Sequence, residues 1–187
     1  MSMTVRKRRD DKTPHVFIHK IADVRGGVSV KASELGGNYL REGAFLSAPV
    51  DGVCHVVKTA EVASAVSGSD TTIKVKKHHN FKVGDVVMAE PTKIAKKITA
   101  IDESNKTYDV LTVSAAIGAV TAGKSIVEAT AEASSGALKY EPQSIVGTGK
   151  EFDGKTNINT DAWVIGVVKD PSAPAYLLDK LKGIVNL

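Results

Sequence analysis

The chain has 187 residues, of which 42% are hydrophobic and 5% aromatic, and its formal net charge is +4. This length suits one hydrophobic core, or one core with a small satellite. No run approaches the ~20 apolar residues of a membrane-spanning helix, and the charged segment 1–20 does not resemble a secretion signal. We therefore expect a soluble protein without a membrane partner. The lone cysteine, Cys54, excludes an internal disulfide and a multi-cysteine metal site, and it suits a reducing cytoplasm.

Basic charge is concentrated in the first thirteen residues. These contribute +3 of the net +4, and the rest of the chain keeps 20 of the 25 basic and 19 of the 21 acidic residues. Such a balanced body has no overall field to attract a polyanion. We predict that residues 1–13 form a flexible arm, either a solvated tail or a contact for a capsid or polyanion. The candidate contact residues are Arg6, Lys7, Arg8 and Arg9.

The chain after the arm is predicted to form short strands and turns. Residues 15–20 alternate polar and apolar side chains, and Gly26-Gly27 separates them from a strand at 28–31. Segments 42–49 and 53–58 form a predicted hairpin, because Asp51-Gly52 tolerates the positive φ angles of a tight turn.

Two further hairpins are predicted in the middle of the chain. Segments 62–66 and 72–76 flank the turn at 67–70, and segments 96–101 and 108–113, which are rich in β-branched residues, flank the polar turn at 102–107. The segments 83–87 and 122–126 weakly resemble each other. Each places glycine and a charge before an apolar strand, which is typical of a barrel rim but too little to indicate duplication.

The C-terminal part begins after a small, polar stretch at 131–137 that we interpret as a linker or exposed loop. A buried strand is predicted at 162–168. A short helix follows, with Ser172 as its cap, Pro174 in its first turn, apolar residues Leu177, Leu178 and Leu181 on one face, and Gly183 at its end.

The predicted fold class is mainly β: an antiparallel β-barrel or sandwich built from short hairpins, with one short C-terminal helix. We predict three parts. Residues 1–13 form the basic flexible arm, residues 14–130 form a β-rich main domain, and residues 131–187 form a C-terminal segment packed on that domain.

Residues 118–125 match the phosphate-binding pattern G-x-x-x-x-G-K-[ST], and Lys124 would be its lysine. The pattern recurs at 149–156, where Glu151 and Asp153 would repel a phosphate. Two matches in one short chain indicate that the match at 118–125 can readily arise by chance. The first match would need a helix at 126–133, and hairpins precede it instead of strand–helix crossovers. A glycine turn between strands is the favoured interpretation, and nucleotide binding is the alternative.

No side chains suggest catalysis or a metal site. The neighbours His78 and His79 point to opposite faces of a strand, and His55 beside Cys54 has the same geometry, so we expect exposed histidines and a buried cysteine. The carboxylates are scattered, and none lies in a context that predicts a raised pKa. Trp163 is expected in the core in preference to an interface. We predict no enzyme activity, cofactor or metal.

Three groups of segments carry a family resemblance. The first comprises 42–49 with Asp51-Gly52, the second 73–87 with 98–102 and 108–113, and the third 142–147 with 158–168 and 177–184. In this order they resemble the head-fibre and capsid-decoration proteins of tailed bacteriophages, especially those of phages and prophages in gut bacteria.

The resemblance implies a non-enzymatic phage virion structural protein. Such proteins bind the major capsid protein on the outside of an icosahedral shell, commonly as trimers, and reinforce the shell or carry a fibre. The expected location is the capsid exterior, and the bacterial host cytoplasm during assembly. Because no repetitive shaft precedes Leu187, a compact decoration protein is favoured. One alternative is a β-barrel nucleic-acid-binding module that uses the basic arm, and a lesser one is a nucleotide-binding protein that uses residues 118–125.

Overall fold

The computed structural model describes residues 15–187, so the predicted arm and its residues Arg6, Lys7, Arg8 and Arg9 lie outside the described part of the chain. Of the described residues, 43% are in strands and 4% in helices, which confirms the mainly β prediction. The first eight strands are β1 Phe17–Asp23, β2 Val28–Val30, β3 Tyr39–Leu40, β4 Phe45–Ser47, β5 Val56–Val57, β6 Thr59–Glu61, β7 Thr72–Lys76 and β8 Val86–Met88. The others are β9 Ala95–Asp102, β10 Tyr108–Val113, β11 Ser125–Ala129, β12 Pro142–Val146, β13 Lys150–Glu151, β14 Ile158–Thr160, β15 Ala162–Val168 and β16 Ile184–Asn186. A 3-10 helix spans Ala32–Glu34, and α1 spans Ala175–Leu178.

Two six-stranded sheets organise these elements. Sheet I has the order β1-β15-β12-β4-β5, with β16 beside β15, and sheet II has the order β6-β11-β8-β9-β10-β7. The pair β15–β16 is parallel, and the other pairs within both sheets are antiparallel. Two short ladders, β13–β3 and β14–β2, lie beside them.

The two sheets use the chain differently. All strands of sheet II come from residues 59–129, whereas sheet I joins strands before residue 58 to strands after residue 141. Strand pairing therefore crosses the boundary proposed at 130/131, and the division into domains stays a prediction. Sheet II curls until its terminal strands meet at one bridge, Val62 to Val75, without forming a closed barrel.

Two of the predicted hairpins form as expected. Strands β4 and β5 pair across a turn in which Asp51 has a φ of 51° and Gly52 a φ of 79°. Strands β9 and β10 also pair directly. The predicted turn at 67–70 is present, but Val66 before it pairs with Val120 instead of with the strand that follows the turn.

Alternation along the strands creates three hydrophobic cores. On β7, Ile73 and Val75 are buried inside sheet II while the intervening residues are exposed. Phe45 and Ile145 of sheet I pack with Met88 of sheet II and with α1. The neighbouring residues of the same strands, among them Leu46, belong to a third core with β2 and β14. Sheet I is therefore covered on both faces over these strands, which is compatible with a sandwich.

The C-terminal helix is a single turn, and its predicted cap is wrong. Pro174 occupies the N-cap position and Ser172 makes no capping bond. Ser172 has a φ of 52°, a left-handed conformation unlike the extended backbone of an N-cap, and its carbonyl accepts a hydrogen bond from the Thr59 hydroxyl at 3.1 Å. Leu177 and Leu181 are buried, as their spacing predicts. The strand β16 was not predicted, because its sequence is short and directly follows Gly183, where the predicted helix was to end.

Candidate functional site

The most exposed apolar surface lies where sheet I ends at strand β1. Eight large hydrophobic residues are exposed in the described part of the chain, and five of them lie on β1, β15, β16 or directly after β16. We call these five residues the β1 edge patch: Ile18, Ile21, Ile165, Val185 and Leu187. Clustered exposure of this kind is typical of a surface that another molecule covers.

The register of β1 explains why its isoleucines are exposed. The pairing of β1 with β15 shifts three times; the first two shifts each leave one extra residue on β1, first Ile18 and then Ile21, and the third leaves Val164 as the extra residue on β15. Such bulges commonly occur at sheet edges. The two extra residues on β1 are 57% and 58% exposed, and five of the seven residues of β1 are exposed.

The outer face of β15 and β16 continues this surface. Val167 pairs with Val185, so their side chains share one face of the sheet, and Ile165 lies on that face two residues before Val167. The opposite face carries Val168 and Ile184, which are buried in the core shared with α1. The sheet is therefore apolar on both faces here, although only one face is packed within the described chain.

The phosphate-like segment 118–125 has the wrong local structure for a nucleotide loop. Gly118 and Gly123 have φ angles of 96° and 82°, and Ser125 begins strand β11, so a strand stands where the nucleotide-binding alternative would need a helix. Without a helix, no N-terminal dipole faces the loop. Lys124 lies at the rim of a cavity of about 550 Å³ that Tyr176 also lines. Burial raises the pKa of Tyr176, and nearby Glu90 and Glu141 raise it further.

Cys54 is buried as predicted, but two of the histidines are buried too, contrary to expectation. The His55 ring stacks on Tyr140 at 4.3 Å between centroids, and its Nδ1 lies 2.8 Å from Glu34 Oε2. The His79 Nδ1 accepts the Phe81 backbone N–H at 3.2 Å. Polar partners make burial tolerable in both places. Those of His55 are distant in sequence, whereas Phe81 lies two residues after His79.

A buried charge network joins the two sheets. Lys58 lies between β5 and β6, and its Nζ is 2.6 Å from Asp85 Oδ2 and 3.4 Å from Glu128 Oε1. Lys139 approaches the same Glu128 oxygen at 2.8 Å. Burial raises the pKa of Glu128 although Lys58 opposes the rise, so the expectation that no carboxylate has a raised pKa is wrong. The network fixes the joint between the sheets, and the local sequence around Glu128 gives no sign of it.

Trp163 is half-buried, and its indole N–H donates to Asp161 Oδ2 at 2.8 Å. The Lys20 Nζ lies 5.4 Å from its ring centroid.

No helix among residues 15–187 has the length and apolar character needed to cross a bilayer. Within the same range, no group of three or more potential ligand side chains is arranged to hold a metal ion.

No protein-family model, curated protein or solved structure matches this chain. The bacteriophage resemblance therefore stays a prediction, and the geometry of the described residues is the remaining guide to function. The β1 edge patch is a feature that sequence reasoning missed. Its signal was present in the two isoleucines of segment 15–23, but their exposure depends on bulges that pairing with a distant strand creates.

Proposed function

We propose that this protein is a non-enzymatic virion structural protein that binds the outside of a bacteriophage capsid, as a decoration or head-fibre protein. The observation that supports this function best is the β1 edge patch, an apolar surface on an edge strand. An exposed edge strand invites pairing or packing with another chain. Function by assembly requires a surface of this kind and no reacting groups.

A second copy of this chain is the occupant that we propose for the patch. Its apolar side chains lie on an edge strand and the outer face beside it, and obligate homo-oligomer interfaces are more hydrophobic than transient ones. A trimer is the favoured assembly, because the family that the sequence resembles commonly forms trimers. Covering the patch in this way leaves the rest of the molecule to contact the major capsid protein.

The basic arm is a separate element of the proposal. Residues Arg6, Lys7, Arg8 and Arg9 carry like charges with little apolar surface between them. Each screened contact with an acidic capsid surface adds roughly 0.2 to 1 kcal/mol. In this scheme the body provides the specific fit and the arm adjusts affinity.

The test begins with the neighbouring genes, among which we expect a major capsid gene, and it uses capsids assembled from that gene's product without their decoration protein. Binding of the intact chain and of a chain lacking residues 1–13 is measured across a salt series. We expect the shortened chain to bind more weakly at low salt and equally at high salt, where ions screen the arm. Failure of the intact chain to bind at any salt concentration would contradict the proposed function.

Two further outcomes would revise the role of the arm. Loss of all binding on deletion would make the arm the docking element, and an unchanged salt curve would make it a solvated tail. If the chain instead bound nucleic acid, with an affinity that falls steeply with salt and disappears when residues 6–9 are neutralised, the nucleic-acid alternative would replace the capsid proposal.

A further inference from the structure

A cleft of about 610 Å³ lies between the two sheets, and Arg41 is part of its wall. Sheet II contributes Ala60 and Glu61 of β6 and the end of β7, and Arg41 directly follows β3. The segment after β15 contributes Lys169 and Ser172. This volume lies in the range that small-molecule sites typically occupy.

Arg41 differs from Lys76 and Lys77 of the cleft wall in lacking an ionic partner among the described residues. Among residues 15–187, no carboxylate oxygen lies within 4.0 Å of its guanidinium, whereas Lys76 pairs with Glu61 at 2.7 Å and Lys77 pairs with Asp109. Its one hydrogen bond to a described residue runs from Nη2 to the Thr59 hydroxyl oxygen at 3.0 Å. The other guanidinium donors are left for a ligand or for water.

Thr59 fixes the position of this guanidinium. The Thr59 hydroxyl donates to the carbonyl of Ser172, so its oxygen lone pair is free to accept from Arg41. Ser172 and two other residues of the cleft wall, His78 and Asp170, have φ angles of 52°, 65° and 48°. Left-handed backbone at residues other than glycine is uncommon and often occurs at ligand sites.

The electrostatic environment favours an anion. Burial lowers the pKa of Arg41 to about 10, and the attraction of Glu61 only partly opposes this, so the cation lacks full compensation. His79, also in the wall, stays neutral at pH 7 because burial lowers its pKa to about 4. An oxyanion in contact with Arg41 would supply the missing counter-charge.

Charge balance favours one negative charge over two. The wall contains four side chains that carry a positive charge and three that carry a negative one: Arg41, Lys76, Lys77 and Lys169 against Glu42, Glu61 and Asp170. Glu42 is already occupied, since its carboxylate accepts the backbone N–H groups of Val16 and Phe17 and lies 3.1 Å from His15 Nδ1. Asp109, just outside the wall, pairs with Lys77, so the charges around the cleft are balanced, and a bound monoanion disturbs that balance less than a dianion would.

We propose that the Arg41 cleft binds a small organic monocarboxylate, whose carboxylate group contacts the Arg41 guanidinium and whose body occupies the space between the sheets. Val16 and Ala60 provide apolar contact for that body. The planar fork of arginine matches the two oxygens of a carboxylate. This binding activity is independent of capsid attachment, so its failure would leave the proposed function unaffected.

The probes are glucuronate and benzoate, two monocarboxylates of different shape, with glucose and benzamide as their uncharged counterparts. Calorimetric titration should give saturable binding of at least one carboxylate and no binding of its counterpart. We expect Arg41→Gln to weaken this binding at least tenfold and Arg41→Lys to restore only part of it. Lys180→Met, a change in a distant ion pair with Glu141, should leave it unchanged.

Amide chemical shifts of the wild-type protein provide a second measurement that does not depend on the folding of a variant. On titration with the carboxylate, the amide signals of residues 76–79 and of Lys169, Asp170 and Ser172 should move, and those of the exposed turn at 67–70 should not. Three results would overturn the proposal: no binding of either carboxylate at millimolar concentration, binding unaffected by Arg41→Gln, or inorganic phosphate binding more tightly than both carboxylates.

Discussion

The buried lysine of the charge network shows how one residue joins distant strands. Lys58 is 2% exposed and neutralises both Asp85 and Glu128 at the joint between the sheets. Removal of one partner from a buried ion pair leaves an uncompensated charge in a medium of low polarity. The effect of losing Lys58 should therefore exceed that of losing any surface lysine.

We predict that Lys58→Met lowers the free energy of unfolding by about 3 to 5 kcal/mol. The matched control is Lys180→Met, which removes a surface pair with Glu141 and should change stability by less than about 1 kcal/mol. Urea denaturation of both variants measures the difference. Similar stability of the two variants would show that the network contributes little.

His79 gives stability a dependence on pH in a window where few other groups titrate. Its pKa is lowered from 6.5 to about 4, mainly by burial; the charge of Asp109 opposes the change, and the charges of Arg41 and Lys77 contribute to it. Because the folded state binds the proton less readily than the unfolded chain, His79 favours folding above pH 6.5. That contribution is lost as the pH falls from 6.5 towards 4.

We expect wild-type stability to fall by up to about 3 kcal/mol across this window on account of His79. Replacement by glutamine, which does not titrate, should flatten this part of the stability curve. Denaturation at a series of pH values between 7 and 4 measures it, and the exposed His78→Gln serves as control. Equal slopes for His79→Gln and the wild type would contradict the assignment.

At the scale of elements, the tight turn between β4 and β5 illustrates what local sequence determines. The Asp51-Gly52 pair adopts two successive positive φ angles, as this dipeptide typically does. Nothing lies within 4 Å of a methyl group added at Gly52, so an alanine there would destabilise the protein only through its unfavourable backbone conformation and not through a steric clash. The effect of a substitution can therefore be assigned to the turn.

Gly52→Ala should destabilise the protein by about 1 kcal/mol, because alanine disfavours a φ of 79°. Gly68 lies in another exposed turn, where an added methyl group also meets nothing, but its φ angle is not in the positive range. Gly68→Ala should therefore be neutral or slightly stabilising. Thermal unfolding compares the two, and an equal loss of stability in both variants would refute the turn argument.

Elements set by local pattern were predictable, and those set by long-range pairing were not. Alternation identified β7, β-branched residues around a polar turn identified β9 and β10, and the Asp-Gly turn identified the β4–β5 hairpin. The short strands β3, β13 and β16 depend on partners far along the chain, so their sequences alone have no distinctive pattern. The Arg41 cleft was missed for the same reason, since its wall combines segments that are adjacent only after folding.

At the scale of the whole molecule, the β1 edge patch should decide the oligomeric state. Ile21 is 58% exposed within the patch, and Val83, which lies outside it, is 57% exposed. A charge at Ile21 would have to be buried in the proposed interface between copies, whereas a charge at Val83 would remain in water. The two positions are therefore matched in exposure and differ in what is expected to cover them.

We expect the wild-type protein to form a homo-oligomer, with a trimer favoured, and Ile21→Asp to shift it to monomer at the same concentration. The Val83→Asp variant should form an oligomer of the same mass as the wild type. Light scattering across a concentration series measures all three. A wild-type chain that stays monomeric at high concentration would count against assembly through this surface.

The interleaving of the two ends of the chain in sheet I also affects how the protein is made. Residues 59–129 are synthesised as one continuous stretch, so all strands of sheet II are available for pairing before β12 is synthesised. Strand β1 emerges first but must wait for β15, with which it pairs from Phe17 to Asp23. Contacts between residues so far apart in the chain form slowly. During that wait Ile18 and Ile21 lie on an unpaired strand, so we expect nascent chains to be vulnerable to aggregation at the surface that we propose for assembly.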